Sequence, residues 1–283
     1  MFDLNLLKGI EDKAAASIRI NEGDYIGEED GLLYCGKCHT RKQAKVSFFE
    51  GRHPMCLCKC ESEKRNAEME RAKLAERIME NRYNCFDVSS DRKENGVMVN
   101  WTFENDKGYS AKAITAARNY AEKFETFKEK KQGILFFGEK GVGKTYATAC
   151  VANYLLDKGY RVKMTNFARI ANKLFDAYDK QNIYDGLNMC DLLILDDLGA
   201  ERKSDYMQEI VYNIIDNRYR VGKPLLVTTN LTSKELKNAD DVTNQRIYSR
   251  LFEMCFPLEV IGEDLRERKL KENHQEVKGL LGI

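Results

Sequence analysis

Two stretches of this chain carry residue types at spacings that suit phosphate chemistry. The first, Gly138-Glu-Lys-Gly-Val-Gly-Lys-Thr145, fits the pattern G-x-x-x-x-G-K-[ST] at every fixed position. The second, Leu192-Leu-Ile-Leu-Asp-Asp-Leu-Gly199, runs from four apolar residues into adjacent carboxylates. Gly138, Gly141 and Gly143 let the backbone turn sharply and aim successive N–H groups at an anion, and the N-terminus of a following helix adds partial positive charge there. Val142 and Tyr146 complete the binding stretch. Lys144 would reach the β- and γ-phosphates, and the Thr145 hydroxyl would hold Mg²⁺. Asp196 would hold the same metal through water, and Asp197 would orient or deprotonate the attacking water. Asn230, at the tip of Leu225-Leu-Val-Thr-Thr-Asn230, can hydrogen-bond the γ-phosphate or that water.

A second kind of chemistry sits near the N-terminus. Cys35-Gly-Lys-Cys38 is followed by Cys56-Leu-Cys58-Lys-Cys60, with His53 just upstream. A C-x₂-C pair answered by a second cysteine pair is zinc-ligand arithmetic, and a closed structural site needs four ligands. Cys35 and Cys38 are the firm pair. Cys58 and Cys60 are favoured for the other two places, with Cys56 or His53 as alternatives. The intervening loop has little apolar content, so metal binding would supply its folding energy. Around it Lys37, Arg41, Lys42, Lys45, Arg52, Lys59, Lys64 and Arg65 make a basic neighbourhood. It reads equally as a phosphate-contacting face, a solvated face or a dock for an acidic partner.

These groups need elements to hold them. Ile134–Phe137 reads as a buried strand, and residues 146–157 as a helix whose apolar face is Ala147, Val151, Tyr154 and Leu155. A chance glycine-rich turn would lack that strand–loop–helix context. Ser110 can cap a helix bearing Ile114, Ala117, Ala121 and Phe124. Residues 160–165 form a second strand, followed by a helix with Phe167, Ile170, Leu174 and Tyr178 on one side. Ser204 caps a helix carrying Met207, Ile210, Val211, Ile214 and Ile215, which ends at Gly222. Arg246 and Arg250 lie one helical turn apart beside Ile247 and Leu251. Strand–helix alternation of this kind predicts an α/β fold with a central parallel sheet between helices.

Upstream, residues 61–82 read as an exposed, charge-dense helix with Glu61–Arg65, Glu68–Arg71 and Glu70–Lys73 at pairing distance. Asp87–Gly96 reads as a loop. Leu4, Leu7, Ile10, Ala14 and Ile18 recur at helical spacing, either packed on their own domain or forming a partner-binding face. The expected division is a zinc-binding domain over 1–60, a charged helical linker over 61–96, the α/β domain over 97–270 and a tail over 271–283.

Composition bounds the rest. The chain has 283 residues, 43% hydrophobic and 32% charged, and its 46 Lys+Arg against 45 Asp+Glu leave a net charge of +1. No global basic field therefore announces nucleic acid, and any such site must be local. No apolar run approaches the length of about 18 residues that a membrane span needs, and the first residues do not read as a signal peptide. A cytoplasmic location is expected, where nine cysteines are unlikely to be disulfides.

The motifs GEKGVGKT (138–145), LLILDDLG (192–199), LLVTTN (225–230) and RIYSRL (246–251), in this order, resemble those of AAA+ helicase-loader ATPases of the DnaC/DnaI type. The related IstB transposition helpers are also similar. The resemblance covers roughly residues 95–270, and the cysteine knuckles resemble the zinc-bearing N-terminal domain of Gram-positive and phage loaders. It implies an AAA+ P-loop ATPase that uses ATP, Mg²⁺ and Zn²⁺. Its partners would be a replicative DnaB-type helicase, single-stranded DNA and further copies of itself in an ATP-dependent oligomer. The alternative is an IstB-like helper assembling on duplex DNA. The resemblance makes Asn230 the sensor, Arg250 an arginine finger acting on a neighbour with Arg246 as companion, and Arg266 a second sensor. It places Trp101-Thr-Phe-Glu104 beside the adenine, and Lys163, Arg169 and Lys173 near DNA. Many AAA+ motors carry Glu where this chain has Asp197. The shorter carboxylate predicts slow, switch-like hydrolysis, below roughly ten turnovers per second.

Overall fold

The computed structural model describes residues 20–45, 53–86, 98, 100–106, 110–201, 204–238 and 241–282; the side chains of 268, 269 and 272 are not included. The expected helix over Leu4–Ile18, the loop Asp87–Gly96 and the side chain of Arg52 lie outside the described residues. The chain divides into two compact units, Met1–Ala75 and Glu76–Ile283.

In the second unit, five strands form one parallel sheet: β3 (Gly133–Phe137), β4 (Val162–Asn166), β5 (Leu192–Leu198), β6 (Leu225–Thr229) and β7 (Cys255–Glu259), in the order β4-β5-β6-β3-β7. β3 lies between β6 and β7, and β5 between β4 and β6, so the two motif-bearing strands are both interior. A strand covered on both faces must be apolar at successive positions, as GILFF and LLIL are. The pleat sends alternate residues to opposite sides. Ile134, Phe136, Leu192, Ile194 and Leu226 pack in one core with the helices Ala111–Glu122 (α2) and Lys144–Asp157 (α4). Leu135, Phe137, Leu193, Leu195, Leu225 and Val227 pack in the other with Phe167–Asp176 (α5), Asp205–Val221 (α7) and Val242–Met254 (α9). The remaining helices are Phe124–Glu129 (α3), Lys180–Met189 (α6), Ser233–Lys237 (α8) and Leu265–Leu281 (α10).

Several local expectations need correction. The helix after the phosphate loop is buried almost all round, not on one face, because Ala149, Cys150, Ala152 and Leu156 also enter the core. Tyr178 is fully exposed beyond the end of α5, whose last residue is Asp176. Ser110 occupies the N-cap position of α2 without a side-chain hydrogen bond, whereas Ser204 accepts from the Met207 N–H as expected.

In the first unit, β1 (Tyr25–Ile26) pairs antiparallel with β2 (Leu33–Tyr34). Helix α1 (Lys59–Cys85) begins beside the second cysteine group and is exposed along most of its length. The division between units falls within this helix, after Ala75, inside the stretch 61–96 read as a charged linker. Among the described residues of this unit only Leu32, Cys35, Lys42 and Cys58 are buried. Lys42 therefore does not belong to a basic surface. Its ammonium lies 2.8 Å from Asp24 Oδ2 and 3.5 Å from Glu61 Oε1, because a buried cation needs paired charge.

Candidate nucleotide site and metal centre

The phosphate loop joins β3 to α4, and its geometry requires the glycines. Gly138 sits at φ +140° with a Cβ position only 2.3 Å from the Val260 carbonyl oxygen, and Gly143 caps α4 at φ +96°. A side chain at 138 would collide with backbone while its residue adopted a disfavoured conformation. Within the loop, Lys144 Nζ donates to the carbonyls of Gly138 (2.8 Å) and Glu139 (2.6 Å) and to Asn230 Oδ1 (2.8 Å). Burial lowers the pKa of Lys144, opposed by the charges of Asp197 and Asp196.

The acidic pair arrives from β5, next to β6 in the sheet. The Thr145 hydroxyl donates to Asp196 Oδ1 at 3.0 Å, as expected of two groups that share one metal. Thr228 on β6, which sequence reasoning passed over, organises both carboxylates. Its hydroxyl donates to Asp196 Oδ1 (2.6 Å) and accepts from the Asp197 N–H (2.9 Å). The β5–β6 register shifts between Leu195 and Leu198, and Asp197 takes φ +57°. Asp196 consequently faces inward while Asp197 is exposed. Burial pushes the Asp196 carboxyl up to about 6, with its bonds to Thr228 and Thr145 pulling the other way. The signal for Thr228 was present: a hydroxyl pair in an otherwise apolar strand, just before Asn230.

Lys144, Thr145, Asp197 and Asn230 line a cleft of 390 Å³ that also includes Trp101, Tyr146, Lys140, Leu265 and Arg266. The Trp101 ring lies 5.5 Å from that of Tyr146, whose hydroxyl donates to the Thr102 carbonyl. Asn153, which is buried in α4, donates to the carbonyls of Met98 (2.8 Å) and Trp101 (2.9 Å) and pins this strap. At the other side the Leu265 N–H donates to the Gly141 carbonyl, bringing the start of α10 and Arg266 to the phosphate loop. An aromatic wall, a cationic loop and the Asp197 carboxylate in one cleft, with Asp196 bonded to Thr145 beside it, suit a nucleotide with a divalent metal.

Arg246 and Arg250 stand apart from that cleft. They line a groove of 610 Å³ between α7 and α9 that shares no lining residue with it. Lys163, read as a candidate DNA contact, instead donates to the Asn84 carbonyl at 2.8 Å. Lys173 is exposed on α5 and Arg169 is half-buried.

A family model described as IstB-like ATP binding protein matches residues 68–273, most of the chain. The chain belongs to the IstB-like ATP-binding protein family. Its sequence is 26% identical over 162 residues to the replicative helicase loader DnaC of Buchnera aphidicola subsp. Schizaphis graminum, covering 54% of this chain and 63% of that protein. It is 27% identical over 150 residues to the replicative helicase loader DnaI of Bacillus subtilis, covering 48% of each. The chain thus matches about half to three-fifths of the length of these relatives. A crystal structure of the DnaC helicase loader superposes with a TM-score of 0.50 at 26% identity, over 58% of this chain and 99% of that one. The second unit of this chain is an AAA+ domain, and among the described residues no helix is long and apolar enough to cross a membrane.

In the first unit the sulfurs of Cys35, Cys38, Cys58 and Cys60 all lie within 4.8 Å of one another. Cys35 and Cys60 are 3.7 Å apart, and Cys58 and Cys60 3.3 Å. Tetrahedral zinc with Zn–S bonds of about 2.3 Å needs sulfurs about 3.8 Å apart, so the set fits that ion. Gly36 permits the knuckle, since a Cβ there would lie 2.1 Å from the Gly23 carbonyl oxygen. Cys56 and His53 are outside the cluster; the Cys56 thiol donates to the Arg41 carbonyl.

Proposed function

We propose that this chain is an ATP-driven loader of a replicative helicase of the DnaB type onto single-stranded DNA, with nucleotide state switching its grip on both partners. The observation that carries the reading is the single cleft in which Lys144, Thr145, Asp197 and Asn230 converge, with Asp196 bonded to Thr145 beneath it. The names of the relatives, replicative helicase loaders DnaC and DnaI, supply the partner class.

In this reading Mg²⁺, when bound, would supply charge neutralisation for the phosphates during hydrolysis. Lys144 would exchange its carbonyl partners for phosphate oxygens, Thr145 and Asp196 would hold the metal, and Asp197 with Asn230 would position the water. Arg250 of one copy completes the site of the next, with Arg246 beside it, so ATP promotes self-association and its hydrolysis loosens the contact. Arg266 answers phosphate from α10. The cysteine-rich unit, with zinc on Cys35, Cys38, Cys58 and Cys60, holds the helicase. Turnover is slow, as suits a switch.

The test is capture of a DnaB-type helicase with and without ATP. Wild type is expected to bind it in a nucleotide-dependent way and Lys144→Ala to lose that dependence. No capture in any nucleotide state would refute the loader reading. The family's description favours one other reading, an IstB-like transposition helper on duplex DNA. ATP-dependent preference for duplex over single strands, measured at stated salt, would select it.

A further inference from the structure

The groove between α7 and α9 holds Arg250 in a way that the reading above does not require. Tyr212, Asp216 and Tyr219 lie on α7 at spacings of four and three residues, so they form one stripe along the helix. The Arg250 guanidinium from α9 lies across it. Its carbon sits 4.8 Å from the Tyr212 ring centre and 5.8 Å from that of Tyr219. Nη2 is 2.7 Å from Asp216 Oδ1, while Asp216 Oδ2 accepts from Arg220 Nε at 2.8 Å. The Asp216 side chain is 11% exposed and that of Arg250 23%.

Two features show that this is a charge contact and not a locked fork. Asp216 Oδ1 and Arg250 Nη1 make no hydrogen bond, so the ion pair lacks the aligned, bidentate geometry that makes arginine–carboxylate pairs strong. The guanidinium also has stacking partners on α7, which keep its stem in place if the carboxylate is lost. The carboxylate offers the oxygens that a phosphate would offer, at the distance a phosphate would take.

From this we infer that Asp216 is a positioning residue that parks Arg250 on its own subunit until a nucleotide phosphate bound to a second copy competes for the guanidinium. The inference rests on the reading of Arg250 as the residue that completes a neighbour's site. It adds an autoinhibitory element, since an isolated copy keeps its finger neutralised. Assembly then requires a partner that already carries a triphosphate, because a weaker anion does not displace the carboxylate. Arg220, the second cation on Asp216, stays paired with the carboxylate after Arg250 leaves.

The experiment uses the full chain with zinc and Mg-ATP, reading self-association and turnover across a protein concentration series. Variants are Asp216→Asn, Asp216→Glu, Arg250→Ala and the Asp216→Asn/Arg250→Ala pair. Asp216→Asn is expected to move the assembly midpoint to about fivefold lower protein concentration, the factor an ion pair of ordinary strength is worth. Its KM for ATP should stay unchanged. Asp216→Glu, which keeps the charge, should restore the wild-type midpoint, and the double variant should behave as Arg250→Ala. If Asp216→Asn melts early, Asp216→Ser takes its place with the same expectations. An unchanged or raised midpoint, or an effect that persists without Arg250, overturns the latch. Arg250→Ala assembling and turning over like wild type overturns the underlying reading and the latch together. A defective Arg250→Ala beside an unchanged Asp216→Asn overturns the latch alone.

Discussion

Lys144 and Asn230 meet beyond the C-terminal ends of the adjacent parallel strands β3 and β6, Nζ donating to Oδ1 at 2.8 Å. With bonds to the Gly138 and Glu139 carbonyls, all three ammonium donors are used within the chain. A phosphate entering the cleft exchanges with these acceptors. In the proposed function that exchange would couple nucleotide arrival to Asn230.

The first prediction separates the two partners. Lys144→Ala is expected to abolish measurable nucleotide binding, since it removes the charge the phosphates meet. Asn230→Ala frees one Lys144 donor and should leave nucleotide affinity within a few-fold of wild type. Its turnover should fall by about tenfold to a hundredfold, the range for losing a hydrogen bond to a charged group. Nucleotide titration and steady-state turnover decide it. A normal rate in Asn230→Ala would remove that residue from the chemistry.

A second prediction concerns pH. Burial raises the Asp196 carboxyl to about 6, so it is ionised above that pH and protonated below it. A metal competes with the proton, so magnesium-dependent nucleotide affinity should weaken as pH falls through about 6, approaching tenfold per pH unit. The Thr228 hydroxyl lowers this pKa by donating to Oδ1 at 2.6 Å. Thr228→Val should therefore move the profile to higher pH while leaving affinity at alkaline pH near wild type. An unmoved profile would show that Thr228 does not tune Asp196.

Much of the nucleotide site was legible because its residues are local in sequence. Gly138 to Thr145 are contiguous, and Asp196 and Asn230 each end an apolar run, so motif and strand pattern locate them together. What escaped notice acts across the sheet or between helices. Thr228 matters because β6 lies beside β5, and Asn153 because α4 reaches back to residues 98–101. Asp216 matters because α7 packs on α9, a pairing that no spacing announces. Lys42 was misread for the same reason: its partners are 18 and 19 residues away in opposite directions. The interior strands β3, β5 and β6 were readable because two-sided burial leaves a run of apolar residues, but the half-exposed edge strand β7 and the all-round burial of α4 were not. Alanine carries little periodic signal and fits either face.

Asn153 gives the third prediction. Its amide nitrogen bonds the carbonyls of Met98 and Trp101, and so holds the aromatic wall of the cleft against α4. Asn153→Ala removes both bonds from a buried position, at a cost of about 1–3 kcal/mol in stability. The strap loosens at the Trp101 wall, where the proposed function puts the base, while Lys144 and the acidic pair are untouched. KM for ATP should rise by about tenfold with kcat at saturation little changed. A fall in kcat with unaltered KM would place Asn153 in the chemistry and not in base binding.

The fourth prediction turns on how little the first unit buries. With Leu32, Cys35, Lys42 and Cys58 as their only buried members, the described residues of this unit form no apolar core able to offset the entropy of ordering them. Zinc on the four clustered sulfurs would supply that free energy. Chelation near pH 7 should therefore unfold this unit while the AAA+ domain, with two cores of its own, still binds nucleotide. Limited proteolysis beside a nucleotide titration checks both halves. Cys60→Ser should lower metal content well below one ion per chain, whereas Cys56→Ser should not, because its sulfur faces the Arg41 carbonyl outside the cluster. If metal is lost with Cys56 and kept without Cys60, the four-sulfur assignment is wrong and the knuckle closes through a different set of ligands.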